Sequence, residues 1–149
     1  MDILRRNTDY ALRAMIYLAR HHSEELVSAR EISQKGDVPY QLASKLLQKL
    51  HKVGLVESSM GPKGGFRLSR TLSKIHLLEI IEAIQGKILL SRCLLGEDIC
   101  PHQKSCKVRA KLAELEKSIN SYLGSVTLEE IVRQKEPDRR RQRAKGRKK

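Results

Sequence analysis

Apolar residues along this 149-residue chain recur mostly at intervals of three and four, the spacing of an α-helix that is buried on one face. The stretches with this spacing are 8–21, 42–53, 76–84 and 108–126. Alternation of apolar and polar residues, which is typical of strands, is found in LVESS at 55–59 and FRLSR at 66–70. The chain is therefore predicted to be mainly α-helical with one small β-hairpin.

Signals at helix ends divide the first 54 residues into three predicted helices. Ser28 and Glu31 predict a capping box, in which the hydroxyl and the carboxylate both bind free backbone amides at the start of a short second helix. Pro39 fits the first turn of a third helix, and Gly54 fits its left-handed end. The predicted buried stripes are Ala11, Ala14, Met15 and Leu18 in the first helix, and Leu42, Leu46, Leu50 and Val53 in the third.

The second and third helices, joined by a tight turn, have the order of a helix-turn-helix, and the hairpin follows directly. The hairpin turn at 60–65 is rich in the glycines that tight turns need, and it places Lys63 at the tip. A hairpin in this position is typical of the wing of a winged helix-turn-helix, a DNA-binding unit. The alternative is an ordinary surface hairpin with no role in binding.

A long helix beyond residue 106 carries a separate apolar stripe. Its members follow one another at steps of 4, 3, 4, 3 and 4, the spacing of a coiled-coil seam: Val108, Leu112, Leu115, Ile119, Tyr122 and Val126. The seam either packs on the chain's own winged unit or forms a homodimer. A dimer is favoured, because DNA-binding folds that recognise pseudo-palindromic sites need one. A second capping box, from Thr127 to Glu130, opens a short last helix.

The charge of the chain indicates a polyanionic partner. There are 30 basic and 17 acidic side chains, for a formal net charge of +13. Residues 137–149 hold eight bases and one acid, a net of +7, so the remaining body still carries +6. Aromatic residues are scarce and Trp is absent, which disfavours stacking on single strands and favours double-stranded DNA. The basic tail is predicted to be disordered and to add sequence-independent attraction to phosphates.

Two other classes of protein are not expected. The sequence lacks an apolar run of the roughly 18 residues that span a membrane, and its first 22 residues have the pattern of an amphipathic helix rather than an export signal. A cytoplasmic location is therefore expected. The GPKGG turn lacks the Lys-Ser/Thr pair of a nucleotide-binding loop, and no acid–base constellation is visible, so the chain is not expected to be an enzyme.

The three cysteines of the chain, Cys93, Cys100 and Cys106, lie within 14 residues of one another. An odd count does not suit a disulfide framework and favours metal binding or thiol chemistry, since thiolates are soft ligands and reactive nucleophiles. Zinc is one alternative, although the Cys-x6-Cys-x5-Cys spacing lacks the close pair of structural zinc sites, and a metal-free thiol sensor is another. The position between the winged unit and the long helix indicates a switch.

Four landmarks carry a resemblance to a known family. They are TDYALRAMIYLA at 8–19, AREIS at 29–33, KVGLVESSMGPKGGFRLSR at 52–70, and the spaced cysteines before the long helix. From Thr8 to about Val132 the chain resembles the Rrf-two family of bacterial winged-helix transcriptional regulators, some of which are iron–sulfur sensors. The wing phrase GPKGGFRL is the most specific short landmark.

The resemblance implies how DNA would be bound. The polar face of the third helix would read the major groove, where amide and ammonium groups suit acceptor-rich purine edges. The wing would follow the adjacent minor groove. Many relatives have Arg at the position of Met60, so a minor-groove charge is missing here and a different operator preference is expected. The expected DNA-binding residues are Gln41, Ser44, Lys45, Gln48, Lys49, Lys63 and Gly64.

The resemblance also implies an iron–sulfur cluster, 2Fe–2S or 4Fe–4S, on the three cysteines, with one ligand position left to fill. Some relatives place a His three residues after the third cysteine, where this chain has Arg109, which cannot ligate. Asp9 matches a carboxylate that other relatives supply from the partner subunit. The alternative is that Asp9 only stabilises the N-terminus of the first helix through the helix dipole. His102 is the other candidate, and is otherwise a solvated loop residue.

The predicted organisation has three parts: a winged helix-turn-helix domain at 1–86, a cysteine sensor segment with a dimerisation helix at 87–136, and the tail at 137–149. The expected function is a sequence-specific DNA-binding repressor whose cluster senses redox state, nitric oxide or iron supply. A cluster-free thiol regulator and a constitutive basic nucleic-acid-binding module are the alternatives. In the first hypothesis the cluster fixes the cysteine segment, and the long helix then sets the spacing of two recognition helices.

Overall fold

The structure, a computed structural model, describes residues 3–21, 25–96, 100–102 and 104–134. The predicted tail at 137–149 lies outside these residues. The elements, in chain order, are α1 (Arg6–Arg20), α2 (Ala29–Gly36), α3 (Tyr40–Lys52), β1 (Val56–Ser59), β2 (Gly65–Leu68), α4 (Leu77–Gln85), α5 (Lys107–Ser125) and α6 (Leu128–Arg133). The prediction of a mainly helical fold with a small hairpin wing is confirmed.

Helix α1 lies at the centre of the fold, in contact with α2, α3, α4, α6 and β2. Its four predicted core residues are all buried, none more than 2% exposed. Thr8 is also fully buried, and its hydroxyl donates a 2.6 Å hydrogen bond to Oε1 of Gln85, at the end of α4. This bond satisfies the one polar side chain in the buried core of the described residues, and it ties the start of α1 to α4.

Helix α2 starts as predicted, but only half of its predicted capping box forms. The Ser28 hydroxyl accepts the Glu31 backbone amide at 3.1 Å. The Glu31 carboxylate does not turn back to the backbone; it accepts a 2.8 Å hydrogen bond from the Tyr17 hydroxyl on α1. The pKa of Tyr17 is raised, mainly by burial and to a smaller extent by this hydrogen bond. The carboxylate therefore joins two helices instead of capping one.

Helix α3 buries a face slightly different from the predicted stripe. Leu46 and Leu50 are buried, but the buried set also includes Ala43 and Leu47. Because α1, α2 and α4 all pack against α3, its buried face is centred on Leu46, Leu47 and Leu50. Leu42, predicted to be buried, is half-buried at the edge of this face.

The two ends of α3 also differ in detail from the predictions. Pro39 occupies the N-cap position, one residue before the predicted first turn, and its carbonyl accepts the amides of Leu42 and Ala43. Val53, predicted to be buried, is 52% exposed because it follows the last helical turn. Gly54 adopts the predicted left-handed conformation, with φ of 73°, and directs the chain into β1.

The hairpin is held along both edges of β2. On one side β1 pairs with it antiparallel, from Val56 opposite Leu68 to Ser59 opposite Gly65. On the other side the Phe66 amide donates to the Val27 carbonyl at 2.8 Å, and the Val27 amide donates to the Phe66 carbonyl at 2.9 Å. A β-carbon on Gly65 would lie 2.5 Å from that Val27 carbonyl, so the close approach requires glycine.

Beyond the hairpin, α4 leads into the cysteine segment, and α5 leads back to the winged unit. The capping box from Thr127 to Glu130 is confirmed at the start of α6. Leu128 is fully buried in the same core as α1, and its amide donates to the Ile75 carbonyl at 2.8 Å, while the Leu77 amide donates to the Val126 carbonyl at 2.9 Å. The end of α5 is therefore fixed to the start of α4. Among the described helices none combines the length and apolarity needed to cross a lipid bilayer.

Candidate nucleic-acid interface and cysteine segment

The face of α3 that points away from the core is made of amide, hydroxyl and ammonium groups. Gln41, Lys45, Gln48 and Lys49 are exposed, and Ser44 is half-buried. Since the helix from Tyr40 to Lys52 contains no acidic residue, this face has hydrogen-bond donors and positive charge without a competing carboxylate. Such a face fits the major groove of DNA, which admits a helix and is lined by purine acceptors.

The tip of the wing is a tight turn in which Gly61 has φ of 107° and the Gly64 amide donates to the Gly61 carbonyl at 2.9 Å. A β-carbon on Gly64 would collide with the Ser59 carbonyl oxygen, so glycine is required there as well. Lys63 is exposed at the tip, as predicted, and Met60 is 98% exposed. Gly64 therefore shapes the turn that presents both side chains.

The three cysteines are half-buried and lie in three different local structures. Cys93 lies in a 3₁₀ turn at Arg92–Leu94, with its Sγ 3.1 Å from the Ser91 hydroxyl. Cys106 is the N-cap of α5, and its Sγ accepts the Arg109 backbone amide at 3.4 Å. Cys100 adjoins residues outside those described. The free amides and dipole at the start of α5 favour an anionic ligand near Cys106.

Arg109 connects the first and last cysteines of this segment. Its backbone amide bonds to Cys106, and its side-chain Nε donates to the Cys93 carbonyl at 3.0 Å. The Leu90 amide adds a 2.9 Å hydrogen bond to the carboxylate of Glu116 on α5. From the sequence, Arg109 is predicted only to be unable to bind metal, and this role is not predicted. No sequence signal indicates it, because the bond joins residues that are 16 positions apart.

The two candidates for a fourth ligand lie on the surface. Asp9 is exposed in the first turn of α1, and its Oδ2 lies 2.9 Å from Nη2 of Arg13. Arg13 also pairs with Asp37, at the end of α2, at 3.2 Å. His102 is exposed. Within the described residues the structure gathers no group of three or more side chains that could hold a metal ion. It therefore does not bring the three cysteines to one point, and it brings neither Asp9 nor His102 to complete such a group.

The predicted seam of α5 is divided between two environments. Leu112, Ile119 and Val126 are half-buried, and α5 contacts α4. Val108, Leu115 and Tyr122 are 66%, 51% and 69% exposed, and we call these three residues the outer stripe. They are seven residues apart, so they lie on one side of the helix, as residues at a single heptad position do. The chain therefore packs half of the seam on itself and leaves the other half open.

The winged helix-turn-helix fold and the comparisons that follow define the class of this protein: it is a transcriptional regulator of a DNA-binding family, whose named members are not enzymes. The family model for Rrf2, described as an iron-dependent transcriptional regulator, matches residues 4–134, and the chain belongs to this family. The resemblance inferred from the four sequence landmarks is thus confirmed.

Individual relatives agree with this assignment. Over 127 residues the chain is 35% identical to the HTH-type transcriptional regulator IscR of Xenorhabdus nematophila, covering 85% of this chain and 77% of that protein. The structure of T. potens IscR has a TM-score of 0.69 and 27% identity, covering 87% of this chain and 85% of the other. CymR, the global cysteine regulator of B. subtilis, has a TM-score of 0.73 and 26% identity, covering 89% and 97%. The DNA-binding residues and metal ligands stay predictions.

Proposed function

We propose that this Rrf2-family regulator is a repressor in the bacterial cytoplasm, which binds a pseudo-palindromic operator as a homodimer under the control of an iron–sulfur cluster. The observation that carries this proposal is the position of the cysteines. Cys93 and Cys106 are held at the start of α5 by Arg109, in a chain that matches an iron-dependent family. We retain the three-part organisation, with 1–86 binding DNA, 87–136 sensing and dimerising, and 137–149 adding phosphate attraction.

Specific DNA contacts are assigned to α3 and the wing. Gln41, Ser44 and Lys45 lie toward the N-terminal half of α3, where side chains of a recognition helix reach base edges. Gln48 and Lys49 extend the same donor-rich surface, and Lys63 supplies a positive charge at the wing tip. Base contacts give sequence preference, whereas the lysines give affinity that falls as salt rises.

Dimerisation is assigned to α5. The outer stripe exposes three large side chains at heptad spacing, and a second copy of the helix would cover them. A two-fold dimer presents two α3 helices to half-sites separated by about one helical turn, roughly 34–36 Å. The distance between the two recognition helices then depends on how the two α5 helices meet.

The donor set of the cysteine segment fits an iron–sulfur cluster. Cys93, Cys100 and Cys106 are half-buried thiols that have no disulfide partners, and soft thiolate ligands select such clusters. Asp9 of the partner subunit is our candidate for the fourth ligand, with His102 as the alternative. When bound, the cluster would supply iron and sulfide that oxidants or nitric oxide can alter.

The chain's own residues would transmit the state of the cluster to DNA. Arg109 joins the Cys93 turn to the first turn of α5, so the position of the cysteine segment and the start of α5 are coupled. The far end of α5 is fixed to the winged unit. A tenfold change in operator affinity requires a difference of only about 1.4 kcal/mol between the two states. Changing the order of one segment is sufficient for an effect of that size.

The proposal is tested on protein purified without oxygen. The wild type should be coloured and contain iron and sulfide, and Cys100→Ala should lose the visible absorption and change operator affinity about tenfold. Ser105→Ala, at an exposed position of the same segment, is the control, and it should keep both the visible absorption and the operator affinity of the wild type. Colourless wild-type protein that binds its operator equally well with all thiols blocked would contradict both cluster and thiol control.

The fourth ligand is tested with a pair of matched variants. Asp9 and Asp37 are both exposed carboxylates that pair with Arg13, but only Asp9 is a candidate ligand. Asp9→Ala should alter the absorption spectrum and hasten loss of iron, whereas Asp37→Ala should leave both unchanged. Equal behaviour of the two variants would exclude Asp9, and the same measurement on His102→Ala would then test the alternative.

A cluster-free thiol regulator is the second candidate, and the structural likeness to a cysteine regulator at 26% identity favours it. Here oxidation or alkylation of Cys93, Cys100 or Cys106 would itself alter the start of α5. Iron-free protein whose operator affinity responds to thiol oxidation, and recovers on reduction, would support this candidate over the first.

A further inference from the structure

Met60 is the most exposed of the large apolar side chains that the structure describes, at 98%. It stands between β1 and the turn, on the same tip as Pro62 and Lys63. No acidic residue occurs from Ser58 to Gly64. Glu57, the acidic residue that precedes this stretch in the sequence, is paired with Arg67 across the hairpin at 2.8 Å. The tip of the wing is therefore an apolar point beside one positive charge, which suits a groove bordered by phosphates.

The wing holds Met60 rigidly with respect to the core. Because β2 is hydrogen-bonded to β1 on one edge and to Val27 on the other, the hairpin is not an isolated pair of strands. Phe66 and Leu68 of β2 are each 8% exposed and belong to the hydrophobic core. The turn itself is closed by the bond from Gly64 to Gly61. A side chain on such a support can be pressed into a narrow groove without folding away.

The location of the wing determines which groove Met60 meets. Only three residues separate the end of α3 from the start of the wing, and the Leu55 amide donates to the Leu50 carbonyl at 3.0 Å, so the hairpin is held beside α3. When α3 occupies a major groove, the neighbouring groove is a minor groove about 6 Å wide, too narrow for a helix but accessible to a hairpin tip.

We propose that the wing inserts the Met60 side chain from the minor groove between two adjacent base pairs of the operator flank, and that this wedge selects a deformable step. Apolar side chains, methionine among them, partly unstack and kink DNA in this way, at a cost of a few kcal/mol per step. The deformation is easiest at pyrimidine–purine steps such as TA and CA/TG. Met60 would thus specify sequence without a hydrogen bond. This inference rests on the proposed operator binding.

The experiment uses full-length protein and a duplex that the wild type selects from a random library. Adenines in each flank are replaced one at a time by 2-aminopurine, whose fluorescence rises when the base unstacks. We expect the signal to rise at one step per half-site with the wild type. Met60→Ala should abolish the rise and weaken operator binding about tenfold, or about 1.4 kcal/mol.

Further variants separate a wedge from a general loss of contact. Met60→Leu keeps an apolar side chain of similar size and should retain the signal and the affinity. Met60→Arg should lose the signal while retaining binding through its charge. Val53→Ala removes another exposed apolar side chain, 52% exposed and outside the wing, and should change neither quantity. Thermal unfolding of each variant should match that of the wild type, because Met60 does not contact the core.

Two results would overturn the inference. In the first, the wild type raises the 2-aminopurine fluorescence at no flank position. In the second, Met60→Ala gives the same fluorescence rise and the same operator affinity as the wild type. A failure of the proposed function looks different. In that case the wild type would enrich no sequence from the library, and its binding would depend on salt but not on sequence.

Discussion

The winged unit and helix α5 bury their side chains very differently. The hydrophobic core draws on α1, α2, α3, α4, both strands and Leu128 of α6. In contrast, no described side chain from Leu89 to Thr127 is buried, and α5 buries none of its 19 residues. The winged unit and Leu128 of α6 thus share a hydrophobic core within one chain. Helix α5 contributes no buried side chain to it.

This difference shows where binding partners are needed. A helix whose large apolar side chains stay in water lacks the main stabilising contribution to a folded protein, so its order depends on neighbours. For α5 these neighbours are α4 on one side, Arg109 and the cysteine segment at its start, and, in our proposal, a second subunit along the outer stripe. The winged unit, in contrast, has a buried core of its own, which Leu128 of α6 completes.

The largest expected effect is on stability in the winged unit. Leu47 is fully buried on α3, and Leu47→Ala should lower the free energy of unfolding by about 2–5 kcal/mol. Leu115→Ala on α5, where the side chain is 51% exposed, should lower it by less than about 1 kcal/mol. Urea unfolding at low protein concentration measures both values. Equal losses would mean that α5 contributes to folding as much as the core does.

The next largest effect should appear in association. Leu115→Glu places a charge in the outer stripe and should leave a monomer, with operator affinity lower by about 100-fold because the second half-site is no longer linked to the first. Ala110→Glu adds the same charge at an exposed position on the opposite side of α5 and should change neither property. Sedimentation equilibrium and operator titration measure the two effects. A dimeric Leu115→Glu protein would exclude this stripe as the interface.

The smallest effect concerns the link between the two regions. Arg109→Ala removes the 3.0 Å bond to the Cys93 carbonyl but retains the backbone amide that bonds to Cys106. We expect a loss of about 0.5–1.5 kcal/mol in unfolding free energy and faster alkylation of Cys93. Lys117→Ala, an exposed position on the same helix, serves as the comparison. If the alkylation rate of Cys93 is the same in both variants, the Arg109 bond does not order the segment.

Local signals were sufficient to predict most of the fold. The caps at Ser28 and Thr127 and the periodicity of α1 depend on residues close in sequence, and the structure confirms them. The burial of Leu47 was not predicted, because it depends on how three other helices surround α3. The exposure of Val53 was not predicted either, because it depends on where the last turn of α3 ends. Both residues are apolar, so composition could not distinguish them.

Contacts within the candidate site were less accessible to sequence reasoning. The exposed polar face of α3 could be anticipated, since it is what remains when the apolar stripe is buried. The bonds from Arg109 to Cys93 and from Tyr17 to Glu31 could not, because they join residues 16 and 14 positions apart through the path of the chain. In both cases a charged residue was considered for its local role, and its partner lay on another element.

The attachment of α5 at its C-terminal end has a mechanical consequence. Val126 and Leu128 are hydrogen-bonded to Leu77 and Ile75, so this end of α5 is anchored, and any tilt about it would displace the Cys106 end most. At 1.5 Å per residue the 19-residue helix is roughly 28 Å long, so a tilt of about 5° displaces the cysteine end by about 2.5 Å. A shift of about 2.5 Å around the sulfur atoms therefore corresponds to a rotation of only about 5° of α5 relative to the winged unit.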